Sequence, residues 1–249
     1  MKNIAKSFSI ILPTFNEAGH IKKLVLEISN IFTSNNILFE IIIVDDNSTD
    51  GTINLIHDLE KNNNNIASLV RKKKESSLVD SLNEGILLSK YENIIWMDAD
   101  YSHPPHYLKY FLENQYLSYD VIVFSRFLID SKRYFDNDKK KPKLIDSLSI
   151  ILNRICRLLL YKDFTDYSSG FICIKRDLLK DYKLDGYYGD YFIRLICYCF
   201  RKNFKILELP YIELDRFSGY SKTTSNKINF IIKSMNYLIA ILQSFLRKF

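Results

Sequence analysis

The chain lacks the residue patterns that mark several protein classes. Its four cysteines, Cys156, Cys173, Cys197 and Cys199, show no paired Cys-x-x-Cys spacing, and its four histidines are scattered. That argues against a zinc module and against a disulfide scaffold, and it fits a reduced, cytosol-facing protein. The opening MKNIAKSFSIILPTFNE has a short apolar stretch with an acid close behind and no small-residue cleavage site, so no secretory signal is expected. Near the other end, Lys233 and Arg247 bracket an uncharged run shorter than the ~20 apolar residues a spanning helix needs. There is no internal repeat, and low complexity is confined to the asparagines at 62–65. The net charge of +6 admits anionic substrates, membrane surfaces or nucleic acid, but no nucleic-acid recognition motif accompanies it. The basic clusters Arg71-Lys72-Lys73-Lys74 and Lys139-Lys140-Lys141 fall between expected elements and read as solvated charge runs.

What is present is a sizeable core. With 249 residues, 47% of them hydrophobic, the chain can fold around one large α/β core. Residues 7–12 read as a strand broken at Pro13. Apolar positions Ile21, Leu24, Val25, Ile28, Ile31 and Phe32 then recur at helical spacing. Strands at 39–44, 66–70, 93–97 and 120–124 alternate with helical stretches beginning near Thr52, at 78–88 and at Pro104-Pro105. Such alternation implies a mostly parallel sheet flanked by helices.

The polar clusters fall at strand ends. PTFNE follows the first strand, Asp45-Asp46-Asn47-Ser48-Thr49-Asp50 the second, and Asp98-Ala99-Asp100 the fourth, while Ser125-Arg126-Phe127 closes the fifth. In an open parallel sheet, ligands bind in the crevice beyond the carboxyl ends of the strands. Two carboxylates there can hold a divalent cation with the diphosphate it neutralises. They can equally be ordinary turn residues, which Asp commonly supplies. Segment 128–142 is polar and aperiodic and reads as a loop over the site. Helical patterns follow at 144–161 and 188–202, with a short strand ending at Ile174 between them and another strand at 206–209. In the first helix, Leu144, Leu148, Ile151, Leu152, Ile155 and Leu159 form the expected apolar stripe, with Arg154 and Arg157 on another side. The C-terminal stretch 226–249 also reads as an amphipathic helix, and both it and the basic helix at 144–160 are either interfacial or packed on the core.

The ordered strings SIILPTFNEAGHI, EIIIVDDNSTDGT, IIWMDADYSHPP, VIVFSRF, DYSSGF and ELPYIELDRFSGYSK resemble glycosyltransferase family 2, in particular its dolichol-phosphate mannosyltransferase group. The resemblance spans about residues 8–225. It implies a nucleotide-diphospho-sugar transferase (Rossmann-like) fold as a catalytic domain over 1–225, followed by the C-terminal helix. It also implies a nucleotide-sugar site built from Pro13, Phe15, Glu17, Val44, Asp45, Asp46, Asp98, Ala99 and Asp100. Asp98, Asp100 and Ser102 would hold Mg²⁺ or Mn²⁺, and Arg126, Arg216 and Lys222 would bind phosphate. Asp100, Arg126, Arg216 and Lys222 would carry catalysis.

The implied reaction is inverting transfer of a hexose, foremost mannose from GDP-mannose, to a polyprenyl or dolichyl phosphate. It would take place peripherally on the cytoplasmic face of a membrane, with a membrane subunit as a further partner and no nucleic acid. The alternatives are UDP-glucose or another donor, a glycan hydroxyl acceptor, or a non-catalytic nucleotide-sugar-binding subunit. Three departures from the family pattern stand out. Glu75-Ser76-Ser77-Leu78 replaces a glycine-containing turn. Segment 128–142 lacks the relatives' glycines and their clear arginine, for which Lys143 is a weak substitute. Arg194 stands where relatives carry an acid. Asp190, in GDYF, lies in the region where hydroxyl-glycosylating relatives place a base, yet its string looks more like the lipid-phosphate branch.

Overall fold

The computed structural model describes residues 6–72, 76–116, 118–128, 144–214 and 227–248. Within them, three βα units build the first half: β1 (Ser7–Thr14), α1 (Ile21–Ser34), β2 (Leu38–Asp45), α2 (Thr52–Asn62), β3 (Ile66–Val70) and α3 (Leu78–Leu88). β4 (Asn93–Trp96) leads through a 3-10 turn at Pro105–Tyr107 into the one-turn α4 (Leu108–Phe111), followed by β5 (Val121–Ser125). The second half holds α5 (Leu144–Leu159), β6 (Ile172–Lys175), α6 (Asp190–Arg201), β7 (Ile206–Pro210) and α7 (Lys227–Leu246).

The strands form one seven-stranded sheet in the order β3-β2-β1-β4-β6-β5-β7. All point the same way except β6, which runs antiparallel to both neighbours, β4 and β5. Period-two alternation places Phe8, Ile10, Leu12, Ile41, Ile43 and Ile95 on one face. There they pack against Ile21, Leu24, Val25 and Ile28 of α1 and Ile56 of α2. The alternate residues Ile11, Ile42, Val44, Ile94 and Trp96 face α3, α5, α6 and α7. Burial on both faces explains why the strands read as nearly unbroken apolar runs. On the second face α3 lies very close to the sheet. A Cβ on Gly85 would collide with the Ile11 side chain.

One local expectation is corrected. β1 continues through Pro13, which pairs with Val44 of β2. Pairing with β4 has already ended at Ile11, so the ladder loses nothing from the missing proline N–H. Among the described side chains of α5, the buried ones are Asn153 and Cys156. The anticipated stripe is largely on the surface, with Leu148, Ile151 and Leu159 exposed and Leu152 and Ile155 half-buried.

Because β6 runs backwards, the segment that enters it, Asp166 to Phe171, lies on the same edge as the segments that leave its neighbours. That edge carries the polar clusters.

Candidate active site

The loops after β1 and β2 are stitched into one wall. Asp45, fully buried, accepts from Ser48 N–H (2.8 Å) and Ser48 Oγ–H (2.6 Å). The same Ser48 Oγ accepts Asn16 N–H at 2.7 Å, and Asn16 Oδ1 accepts Thr49 N–H at 2.9 Å. Asn16 and Asn47 take left-handed conformations with φ 57° and 64°, which short amide side chains tolerate. Glu17 donates its N–H to Thr52 Oγ1 (2.9 Å), and its carboxylate lies 2.8 Å from His20 Nε2. Pro13, Phe15 and Glu17 are thereby held beside Asp45. Val44 is buried in the core, so its side chain supports the wall from behind.

Arg71 is a residue the sequence reading missed. Read as part of a solvated charge run, it is in fact only 5% exposed. It donates to Asp46 (2.5 Å), Asp80 (2.8 Å), Ser81 Oγ (3.2 Å) and Ser77 O (3.1 Å). Asp46 also accepts the N–H of Ser77, the residue that caps α3. Burial pushes the Asp46 carboxyl above its ordinary range, with the Ser77 N–H and Arg71 acting against that. Asp46 therefore ties β2, β3 and α3 together.

The Asp98-Ala99-Asp100 segment leaves β4 as a tight turn with Tyr101 at φ 67°. Asp100 is buried, and its Oδ1 accepts both Ser102 N–H (3.0 Å) and Ser102 Oγ–H (2.6 Å). Ser102, anticipated as a metal ligand, thus orients Asp100. Ala99 is buried in the core beneath the turn. Asp98 donates its N–H to His103 Nδ1 at 3.0 Å, and the His103 ring stacks on Phe171 with centroids 4.9 Å apart. Among the described residues, no three His, Cys, Asp or Glu side chains gather as a metal cage. The oxygen donors at this turn match the preference of Mg²⁺ or Mn²⁺, either of which would draw the rest of its shell from phosphate and water.

Arg126 closes the opposite side of the edge. Its Nε and Nη2 grip Asp166 at 2.8 and 2.9 Å, and its backbone N–H donates to the same carboxylate at 3.0 Å. Nη2 also reaches Ser168 Oγ (2.8 Å), while Nη1 meets Glu213 at 3.1 and 3.3 Å. Burial works against the guanidinium charge, but Asp166 and Glu213 hold its pKa well above the ordinary value. Beneath this group, Glu208 of β7 accepts Thr165 N–H (2.8 Å), Thr165 Oγ–H (2.8 Å) and Asp166 N–H (3.1 Å). Burial lifts Glu208 to about 7 in spite of those three donors, and the nearby Asp166 charge adds to the shift. Asp166, Glu208 and Glu213 all lie in strings that carried the resemblance, but nothing in their spacing assigned them to Arg126.

Segment 211–214 joins the two halves. Tyr211 N–H donates to Ser125 O, Ile212 N–H to Tyr107 Oη and Leu214 N–H to Ser102 O, at 3.2, 3.0 and 3.1 Å. Asp190 stands at the start of α6, where its Oδ1 accepts the N–H groups of Tyr187 (3.0 Å) and Tyr188 (2.8 Å) and its Oδ2 pairs with Arg194 at 2.6 Å. Both of its oxygens thus serve the helix start. Arg216, Lys222 and Lys143, and the loop from residue 129 onward, lie outside the described residues.

A sequence model of glycosyl transferase family 2 matches residues 9–183. The chain belongs to this family. Among curated relatives, a dolichol-phosphate mannosyltransferase of Pyrococcus furiosus is 27% identical over 220 residues, 88% of this chain and 60% of that protein. The chain therefore spans less than two thirds of that relative's length. A dolichol-phosphate mannosyltransferase of Mycosarcoma maydis is 36% identical over 103 residues, 40% of this chain and 35% of that one. The fold resembles glucosyl-3-phosphoglycerate synthase of Mycobacterium tuberculosis, solved with Mn²⁺, UDP and phosphoglyceric acid. That match has a TM-score of 0.70 at 14% identity, covering 96% of this chain and 78% of the other. Staphylococcus aureus TarS with UDP-GlcNAc matches at TM-score 0.55 and 16% identity, over 97% and 72% of the two chains. Among the described residues, no helix is long and apolar enough to cross a membrane.

Proposed function

We propose that this family 2 transferase is an inverting enzyme that moves a hexose, foremost mannose from GDP-mannose, onto a polyprenyl phosphate at a membrane surface. The observation that carries this reading is the shared rim. The turn of Asp98 and Asp100 and the Arg126 cluster are joined through backbone bonds of segment 211–214, so the groups proposed to meet the diphosphate and the phosphate share one rim. The dolichol-phosphate mannosyltransferase relatives support the acceptor class, and the Mn²⁺ and UDP in the mycobacterial neighbour support a nucleotide-sugar donor with a divalent cation. Asp98 and Asp100 would hold that cation, which when bound supplies charge neutralisation to the departing diphosphate.

The chain's own residues then have distinct tasks. The wall of Pro13, Phe15, Glu17, Val44 and Asp45 binds the nucleoside, with Asp46 and Arg71 bracing it from β2 and β3. Asp100, immobilised by Ser102, fixes the diphosphate end. Arg126, Arg216 and Lys222 orient the attacking phosphate oxygen in line with the bond to the departing diphosphate. A phosphate monoester is already ionised at neutral pH, so this nucleophile needs positioning and no general base. The engagement of Asp190 with Tyr187, Tyr188 and Arg194 agrees with that economy.

The surface also supports the membrane reading. α5 exposes Leu148, Ile151 and Leu158, and α7 exposes Ile232, Met235, Leu238, Ile239, Leu242 and Leu246. The two helices touch one another, and exposed Arg154, Arg157 and Arg247 flank these apolar positions. A second reading, with UDP-glucose as donor, is favoured by the fold neighbours solved with UDP or UDP-sugars. The test is transfer by the purified full chain with Mn²⁺, offering labelled GDP-mannose or UDP-glucose to phytanyl phosphate or to free glycans. The expected result is a solvent-extractable, phosphate-linked product; its absence with every donor would sink the acceptor assignment.

A further inference from the structure

The two carboxylates on Arg126 are not equivalent. Asp166 has no exposed side-chain surface and holds five donors: Arg126 N, Nε and Nη2, and Ser168 N and Oγ. Glu213 has a side chain 39% exposed and touches only the outer nitrogen, at the longer distances of 3.1 and 3.3 Å. Among the described residues, the three charges of this cluster, −1, +1 and −1, leave it at net −1 at the place where the proposed reaction needs a cation. An anionic ligand meeting Nη1 therefore has a like charge to displace. Glu213 can leave and Asp166 cannot. The backbone around Glu213 is secured independently by the bonds of Tyr211, Ile212 and Leu214, so its side chain can rotate away without unravelling the segment.

We propose that Glu213 is an exchangeable counter-ion that occupies the outer face of Arg126 and yields it to a phosphate group of the substrate. Its charge sets the affinity for that phosphate and discriminates against weaker anions. The inference rests on the assignment of Arg126 to phosphate, and the phosphate comes either from the acceptor or from the donor diphosphate. Removing one like charge at about 4 Å in water should tighten binding about fivefold or more.

The experiment compares wild type, Glu213→Gln, Glu213→Ala and Glu213→Gln/Arg126→Met as full chains, all checked by circular dichroism. Inorganic phosphate binding is measured by calorimetry at low salt. Glu213→Gln should bind about fivefold tighter or better, and the gain should vanish with Arg126→Met. Equal or weaker binding in Glu213→Gln, or a gain that survives loss of Arg126, overturns the proposal. Failure of both Glu213 variants to fold overturns it as well, because Glu213 would then be structural. Citronellyl phosphate and GDP, titrated separately, distinguish the sources: the gain appears with the monophosphate if the acceptor uses Nη1, and with GDP if the donor does. If phosphate tightens as expected but no isoprenyl phosphate is ever glycosylated, the acceptor reading fails and the counter-ion stands. If transfer occurs and phosphate affinity is unmoved, only the counter-ion fails.

Discussion

Replacing Asp166 by Asn removes the charge that lets a largely buried arginine exist on this rim. The Arg126 side chain is 15% exposed and its inner partner 0% exposed, so water can make up little of the loss. Asn retains one acceptor oxygen where Asp offered two, and its amide N–H₂ would face guanidinium donors that formerly met a carboxylate oxygen. Breaking a buried pair from one side costs about 3–5 kcal/mol. At about 2–4 °C per kcal/mol for a chain of this size, the melting temperature should fall by roughly 6–20 °C. The pH dependence gives a second check. Burial raises the Asp166 carboxyl, but Arg126 and the surrounding donors outweigh it and hold the folded-state pKa below the ordinary value. The associated stability is therefore present above the unfolded pKa of about 4 and is lost as the pH falls through the lower, folded value. Urea unfolding at neutral pH should show the full gap between wild type and variant, and the gap should narrow in stronger acid. Adding Arg126→Met to Asp166→Asn should cost less than the single changes predict together. A variant within about 1 kcal/mol of wild type at neutral pH would refute the claim that this pair is a buried, structurally required unit.

Two other outcomes follow from the same edge. Glu208, lifted to about 7, is protonated in the folded chain over a range where the unfolded chain has already ionised. Its favourable contribution is present below about pH 4 and is lost as the pH rises to about 7, a change of about 3 kcal/mol; Glu208→Gln should flatten that slope in urea titrations between pH 5 and 8, and an unaltered slope would assign it elsewhere. Asp100→Asn should lower turnover by about 10²–10³-fold, by analogy with losing one preorganised charge-stabilising group. It should also weaken Mn²⁺ binding in the presence of a nucleoside diphosphate, and retained Mn²⁺ affinity would show that the cation sits elsewhere.

Much of the first half was legible because its information is local. Alternating strands and helices up to residue 125 follow from apolar periodicity. The polar strings were readable as strand-end loops because a parallel sheet buries everything before them. Arg71 was not legible, since a basic residue followed by lysines looks solvated until β3 and α3 bring Asp46 and Asp80 to it. The side of α5 that meets the core was likewise undecided by the sequence, because Leu148 and Ile151 satisfy a helical period whether core or solvent faces them.

The sequence by itself determined the α/β class, the family resemblance and the placing of Pro13, Asp45, Asp98 and Arg126 at strand ends, since these depend on neighbours a few residues away. Only the tertiary structure decided what those residues touch. β6 enters between β4 and β5 in the reverse direction, a long-range choice no local pattern encodes. That reversal brings Asp166 to Arg126, and β7 beside β5 brings Glu208 beneath it and Glu213 to its outer face. The charge of the rim is thus set by partners 40 and 87 positions away from Arg126 in the chain.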